Sequence, residues 1–529
     1  MISNRIVIKL QSSGFILPGV LSAILAFLIL AGAVLTVIQS NLGIVSRNAQ
    51  SQQAFNIAEA GINYYLWHMS HAPTDFKDGQ STPTTPDPTL GFGPYVHDYI
   101  DDNSINTGTY TLWIKPDGPG STIATVRSIG QVKGTNVKRT VEARLGAASF
   151  ASYALVSDTA FWFGNTEAAN GPVHSNQGIR MDGASNGDVT SSNATYVPPV
   201  SLGGDGTSKP GVWCSSGVLT PVNCNTRSKS DWRYPVPSVD FNQISSSLCN
   251  IKKIAFAADT ATASLANQSN ACSQVPTTRT PAYLPQRSTT GSYNIARGYL
   301  IELNSNGTYN LFNVNAENDQ ATAYTTALTL TAVATNITPV ASGVIFAEDN
   351  VWVRTNPTYS GRLTIGAGRL ASATNAANIV IADDVIYGTK NGSDAIGLVA
   401  ENSVVLAPYA IPQTGSFNFE LNAGIIAQTG SVSYPSTYRT STSRCTRGWV
   451  AANQNFNFYG SIATRQTWTW TWQRGSPCGD SVNSGSYYIS GVLNNATQYD
   501  YNLLYAPPPN FPITSGYTIL SWREVLTAP

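Results

Sequence analysis

The first feature along the chain is a long run without charge, from Phe15 to Ile38. As a helix rising ~1.5 Å per residue it spans about 36 Å, enough to cross a hydrocarbon core of ~30 Å. Arg5 and Lys9 precede it, so the positive-inside tendency leaves the N-terminus in the cytoplasm and exports the chain beyond Asn41. The run continues without a turn signal into a second pattern. Ala54, Ile57, Ala58, Gly61, Ile62, Tyr65 and Leu66 recur at helical spacing, with Gln52, Gln53, Asn56, Glu59 and Asn63 opposite them. Pro73 is the first clear stop. The pattern predicts one helix from Phe15 to near His68, apolar all round in its first half and amphipathic in its second. A secretory signal would have a shorter apolar core followed by a small-residue cleavage site. The helix predicted here sits half in lipid and half against its own folded domain.

Beyond the helix the period changes. Residues 71–105 are rich in Pro, Asp and Thr and predict a loop. Roughly alternating runs at Gly108–Lys115, Thr122–Val132 and Lys138–Leu145 predict a short antiparallel sheet, turned at Asp117-Gly118 and Lys133-Gly134. From 150 to 200, short apolar pieces such as Phe161-Trp162-Phe163 are separated by Gly and Asn. Residues 200–300 are rich in Ser, Thr, Asn and Pro and predict an irregular insertion with one helix near Ile251 to Asn267. After residue 340 a weak repeat appears, with Ala347, Ala382, Ala400, Ala427 and Ala463 each closing a short apolar run. Their spacings of 35, 18, 27 and 36 look like turns of about 18, with 35 and 36 as two turns and 27 as one turn with a loop, which predicts a parallel β-helix whose coils bury their apolar faces by stacking. A β-sandwich with irregular loops is the other arrangement this pattern allows. The expected fold is α+β and mainly β: a long helix over 15–70, a small antiparallel sheet over 71–148, and a β-helix over 149–529 with a cysteine-containing insertion at about 200–335.

Charge narrows the function. Lys and Arg number 30, as do Asp and Glu, so the chain lacks the basic excess of a nucleic-acid binder, and no nucleic-acid partner is expected. With 42% hydrophobic residues it is no disordered polymer. Cys214, Cys224, Cys249, Cys272, Cys445 and Cys478 form three local couples, none at CxxC spacing. In an exported chain an even count reads as disulfides. Proximity pairs Cys214 with Cys224, Cys249 with Cys272 and Cys445 with Cys478; buried free thiols are the alternative.

Two motifs in the helical region carry a family resemblance. Ser13-Gly14-Phe15-Ile16-Leu17-Pro18 resembles the leader junction of the type IV pilins, and Gln53-Ala54-Phe55-Asn56-Ile57-Ala58-Glu59-Ala60-Gly61 is similar to the helix motif of PilX-type minor pilins. The resemblance covers about residues 10–70. It implies a leader over 1–14, cleavage after Gly14 by a prepilin peptidase, methylation of Phe15, and assembly with other pilin subunits and the pilus machinery. Ala58, Glu59, Ala60 and Gly61 are the helix-motif residues it marks. Major pilins usually carry Glu at the fifth mature position, where this chain has Gly19; Ser12-Ser13 also stand where a basic residue is commoner. The missing Glu implies a minor or tip subunit rather than a shaft subunit. Near the C-terminus, Tyr499-Asp500-Tyr501-Asn502-Leu503-Leu504 with Pro507-Pro508-Pro509-Asn510-Phe511-Pro512 and a late Trp522 is similar to the close of β-helix domains of pilus-associated surface proteins. The piece from Gly171 to Asp182 is similar to their opening coil.

Candidate chemistry is sparse. The chain has no P-loop, HExxH, GxSxG or dinucleotide fingerprint after a strand, and it is not expected to be an enzyme. Acidic pairs at Asp101-Asp102, Glu348-Asp349 and Asp383-Asp384 offer oxygen ligands for Ca²⁺, but they also fit solvated turns, and no cofactor is expected. His174 stands in a turn without a second His nearby and reads as structural. Trp468, Trp470 and Trp472 alternate with threonines, which would put three indoles on one strand face. Exposed, they would stack on sugar rings or a partner surface; covered, they are packing. The first reading is therefore a membrane-anchored, surface-displayed minor or tip pilin-like subunit. It would contact lipid and bear a β-helix for adhesion to a glycan or a host or neighbouring cell, or for filament assembly. A membrane-anchored polysaccharide-acting enzyme and a secretion-system pseudopilin are the alternatives.

Overall fold

The computed structural model describes residues 16–72, 75–80, 85–117, 121–164, 167–215, 232–287, 297–319, 321, 323–372, 374–410, 417–435, 448–449, 454–473, 488–492, 495–504, 506–514 and 516–525. Helix α1 runs over Ile16–His71. Its apolar side chains from Leu17 to Val45 are exposed. This part of the helix is long and apolar enough to cross a membrane, with a mean hydropathy of 2.7 in its most apolar window. From Ala54 onward one stripe is buried: Ala54, Ile57, Ala58, Ile62, Tyr65 and Met69. These are the positions the 3.6-residue period selects, with Met69 extending the stripe.

The stripe packs on an antiparallel sheet of β1 (Phe92–Ile100), β2 (Asn106–Pro116), β3 (Ile123–Val132) and β4 (Lys138–Gly146). Two features depart from expectation. Strand β1 lies in the stretch whose composition predicts a loop. Tyr95 is buried and His97 and Tyr99 half-buried on one side, while Pro94, Val96, Asp98 and Ile100 face out. Pro94 and Asp98 disguise that alternation, and an edge strand tolerates such residues. The sheet is also completed by the C-terminal strand Thr518–Val525, antiparallel to β4. The domain boundaries expected from sequence place that segment in the outer domain. Its partner lies several hundred residues earlier, so no local signal marks the pairing. Arg523 and Arg127 both pair with Glu142, and Glu524 pairs with Arg139.

The outer part is built by chain passes that stack in parallel. Early passes give β5 (Leu155–Ser157), β6 (Phe161–Phe163), β7 (Val173–Ser175), β8 (Ile179–Met181), β9 (Val189–Ser191), β10 (Val212–Trp213) and β11 (Trp232–Arg233). Helix α2 (Gln243–Ala257) comes after them, then β12 (Tyr283–Leu284). Next come β13 (Gly298–Asn304), β14 (Tyr309–Glu317) and β15 (Leu328–Ile337). Later passes alternate between two sheets through β16 (Val344–Ala347), β17 (Asn350–Asn356), β18 (Arg362–Ala367), β19 (Ile379–Ile381), β20 (Ala395–Ala400), β21 (Val404–Leu406), β22 (Phe417–Ala427), β23 (Val432–Ser433) and β24 (Gln454–Thr464). The long sheet has the order β11-β9-β7-β5-β24-β22-β20-β18-β16-β12, and the facing sheet β15-β14-β13-β17-β19-β21-β23.

Register shows what the repeat encodes. One aliphatic row crosses the long sheet through Ile345, Ile365, Leu398, Ile425, Ile462, Leu155, Val173 and Val189. Beside it runs a small-residue row: Ala347, Ala367, Ala400, Ala427, Thr464, Ser157, Ser175 and Ser191. The alanine repeat read from sequence is corrected accordingly. Ala382 lies just past β19 in the facing sheet, Ala463 is one residue out of register, and Ala367 is the member missed. Each pass leaves a strand in both sheets, so composition alone mixes the two rows. The long sheet is buried on both faces: the aliphatic row meets the facing sheet, while Val344, Phe346, Val399 and Ile426 pack in the cluster that includes α2. Burial on both sides produces unbroken apolar runs rather than alternation.

The region expected to be an irregular insertion is more regular than its composition predicts. Helix α2 begins earlier than predicted, taking in the Ser run, whose Ser246 and Ser247 hydroxyls donate to the Gln243 carbonyl, both at 2.9 Å, and it ends at Ala257 rather than near Asn267. Strand β13 pairs in parallel with β17 and belongs to the stack, carrying β14 and β15 as an antiparallel extension.

Candidate functional site

The anchor region comes first. The predicted processing residues Gly14 and Phe15 lie outside the described residues. Gly19 stands on the bare part of α1 with open space around it. Ala58 and Gly61 face the sheet, while Glu59 and Ala60 are half-buried at its rim. A methyl group on Gly61 would overlap the Ser128 hydroxyl, and one on Gly130 the backbone of Ala54 and Ala58. Small residues here permit helix and sheet to touch backbone to side chain. Beside the motif, Glu59, Ile62, Asn63, Ile519 and Trp522 line a groove of about 250 Å³ between α1 and the C-terminal strand. Below the helix end, Tyr64 donates to Asp78 at 3.0 Å, His97 meets Asp78 at 2.6 Å, and His68 meets Asp75 at 3.0 Å. Burial, with Asp78 nearby, pushes the Tyr110 phenol up to about 12.

A second site occupies the outer part, where β6, β8 and β10 form a short parallel sheet. Phe161, Phe163, Ile179, Met181 and Val212 turn into the core. The alternate positions, Trp162, Arg180 and Trp213, stand in one register row. The guanidinium of Arg180 lies 4.2 Å from the Trp162 ring centre and 5.4 Å from that of Trp213. Cation–π stacking of this kind favours Arg, whose planar group lies flat on an indole. Asp182 holds the row in place: it pairs with Arg180 Nε at 2.7 Å and accepts from Trp162 Nε1 and the Ser215 amide, both at 2.8 Å. Trp213 donates to the Tyr196 hydroxyl at 2.9 Å. In front of this platform opens a cavity of about 750 Å³, walled by Trp213, Trp232, Tyr234, Asp205 and Lys209. Lys209 pairs with Asp205 at 2.9 Å, and hydrogen bonds hold the Asp205 carboxyl well below the usual range. Aromatic walls with a fixed ion pair can take a ring-shaped polar ligand. Sequence reading missed this site. Its signal was the alternation Ile179-Arg180-Met181-Asp182 beside Trp162, which needs the strand register to be seen.

The remaining predicted positions divide between packing and outright correction. Trp468 and Trp470 are 5% and 2% exposed, packed on each other and on Phe163 and Phe456, so of the two alternatives they take packing and not the surface-binding role. The strand in this segment begins only at Thr471, so the segment is not the single alternating strand its pattern predicts. The Trp472 side chain lies outside the described part of the molecule. Cys249 and Cys272 form a disulfide, as proximity suggests. Cys214 is disulfide-bonded, while Cys224, Cys445 and Cys478 lie outside the described residues. The acidic pairs do not share a corner. Glu348 pairs with Lys252 and Asp349 with Arg369, while Asp384 accepts the Glu420 amide at 2.7 Å. Among the described residues no three His, Cys, Asp or Glu side chains group as metal ligands. His174 is buried, with Thr190 at 2.9 Å and Asn176 at 3.0 Å on its two ring nitrogens.

No protein-family model matches the sequence, and no curated protein is similar to it. Among solved structures the chain is similar to the competence-associated pilin ComZ from Thermus thermophilus. The identity is 13% and the TM-score 0.28, over 90% of this chain and 98% of that one.

Proposed function

We propose that this protein is a minor or tip subunit of a type IV pilus-like filament, non-enzymatic, that displays a parallel β-helix domain for adhesion or filament assembly. One observation carries the reading most: α1 is bare and apolar from Leu17 to Val45 and then buries one stripe in its own sheet. A soluble domain has no use for such a bare extension, whereas lipid and then neighbouring subunits would cover it. The parallel stacking of successive passes supports the β-helix assignment. Within this reading the cleft beside Trp213 and Trp232 takes the surface-binding role, with a saccharide ring as its ligand. Prepilin peptidase and the assembly machinery act on the N-terminus, and Phe15 is methylated.

The experiment is mass spectrometry of the mature N-terminus in filaments sheared from the cell surface. A sheared chain that begins at methylated Phe15 is the expected result. A chain that begins at Met1 and stays wholly in the membrane fraction would leave a plain anchor and overturn the assembly role.

A further inference from the structure

Lys252 and Glu348 are the most deeply buried charged pair among the described residues, at 0% and 1% side-chain exposure. Lys252 lies on the inward face of α2 among Leu248, Ile251, Ala255 and Phe256. Glu348 stands just past β16 at a corner of the stack. Their ends are in contact. The rings of Phe256 and Phe346 each stand 5.7 Å from the Lys252 nitrogen. A carboxylate and an ammonium in such a box lose their hydration, and mutual attraction recovers only part of it. Four further groups bear on the pair, the first being Glu401, whose charge raises Glu348 and also Lys252 against the effect of burial. Lys252 donates to the Cys272 carbonyl at 2.8 Å, which fixes the direction of its nitrogen. The buried Tyr283 hydroxyl lies beside Glu348 and falls short of a well-formed hydrogen bond. Cys272 is itself tied by the disulfide to Cys249, one turn before Lys252.

We propose that Lys252 and Glu348 are joined by an intramolecular amide bond that fastens α2 to the strand stack. The Lys252 nitrogen attacks the Glu348 carboxyl carbon. A C–N bond forms, the C–OH bond breaks, and the hydroxyl leaves with an amine proton as water. No oxidant or cofactor enters. The step needs a neutral amine and a neutral acid, and burial favours both: it pushes Glu348 up to about 7 and lowers Lys252. Tyr283 supplies a donor to the oxygen that gains charge in the tetrahedral intermediate. Condensation also removes two opposed charges from an apolar site. The adjacent pair, Asp349 with Arg369, cannot react in this way, because its guanidinium stays charged.

The test is peptide mapping of the full-length protein, denatured, reduced and alkylated. The expected product is one branched peptide that contains both Lys252 and Glu348 and weighs one water less than its two parts. Separate linear peptides carrying unmodified Lys252 and Glu348 would overturn the proposal and leave an ion pair. So would a water loss mapped to other residues. Lys252→Met should abolish the branched peptide, and Tyr283→Phe should leave a fraction of linear peptide that falls with time. Should either variant fail to fold, the wild-type map still decides.

Discussion

Gly130 of β3 lies directly beneath Ala58 of α1, so close that a methyl group on Gly130 would overlap the Ala58 backbone nitrogen. Helix and sheet meet here without an intervening side chain. Gly130→Ala must therefore push α1 off its seat or twist β3. The expected cost is about 2 kcal/mol, typical of an overpacked core. Urea unfolding in detergent, tracked by tryptophan fluorescence and compared with wild type, measures it. A stability equal to wild type would show that the contact yields.

The C-terminal strand is a removable edge. A chain ending before Thr518 would leave the outer edge of β4 unpaired and remove the wall of the groove that Ile519 and Trp522 form against α1. Faster proteolysis within β3 and β4, with the outer stack unaffected, is the expected pattern in a limited digest. Equal protection of both parts would mean that the strand adds nothing to the sheet.

Stability should fall in mild acid through His174. Burial holds its imidazole below the ordinary value of 6.5, against a weaker raising effect of the Asn176 hydrogen bond. The unfolded chain gains a proton as pH drops through that value while the folded chain does not. The contribution is thus complete above the ordinary value and is lost as pH falls below it, by up to about 1.4 kcal/mol per pH unit. Thermal melts between neutrality and mild acid should show a slope that His174→Gln flattens. Tyr153 packs on the ring and Asp158 reaches it only through Asn176, so neither reverses the sign.

The Cys249–Cys272 disulfide closes a loop with a sequence separation of 23. Replacing both cysteines with Ser should cost about 3 kcal/mol. The urea midpoint of the double variant, compared with oxidised wild type, checks this; an unchanged midpoint would show that the bond adds nothing to stability.

Much of the anchor was legible in the sequence because its signals are local. The buried stripe from Ala54 to Tyr65 obeys one helical period, and β2 to β4 obey one alternation. Strand β1 was hidden by Pro94 and Asp98, which are tolerated only because it is an edge. The stack was legible as a repeat but not in its register, since each pass feeds two sheets. The cleft was least legible. Trp162, Arg180 and Trp213 form a site only when three strands align, and Trp468 and Trp470 carried a stronger local pattern while packing inward.

The order of the long sheet has a consequence for how the molecule is made. Strand β5 is seated between β7 and β24, so an early strand waits for one of the last. The anchor sheet likewise waits for Thr518–Val525. In a chain whose residues emerge in sequence order, neither half can close until its late strand is in place. A chain cut short before these late strands keeps two open strand edges, one beside β5 and one beside β4.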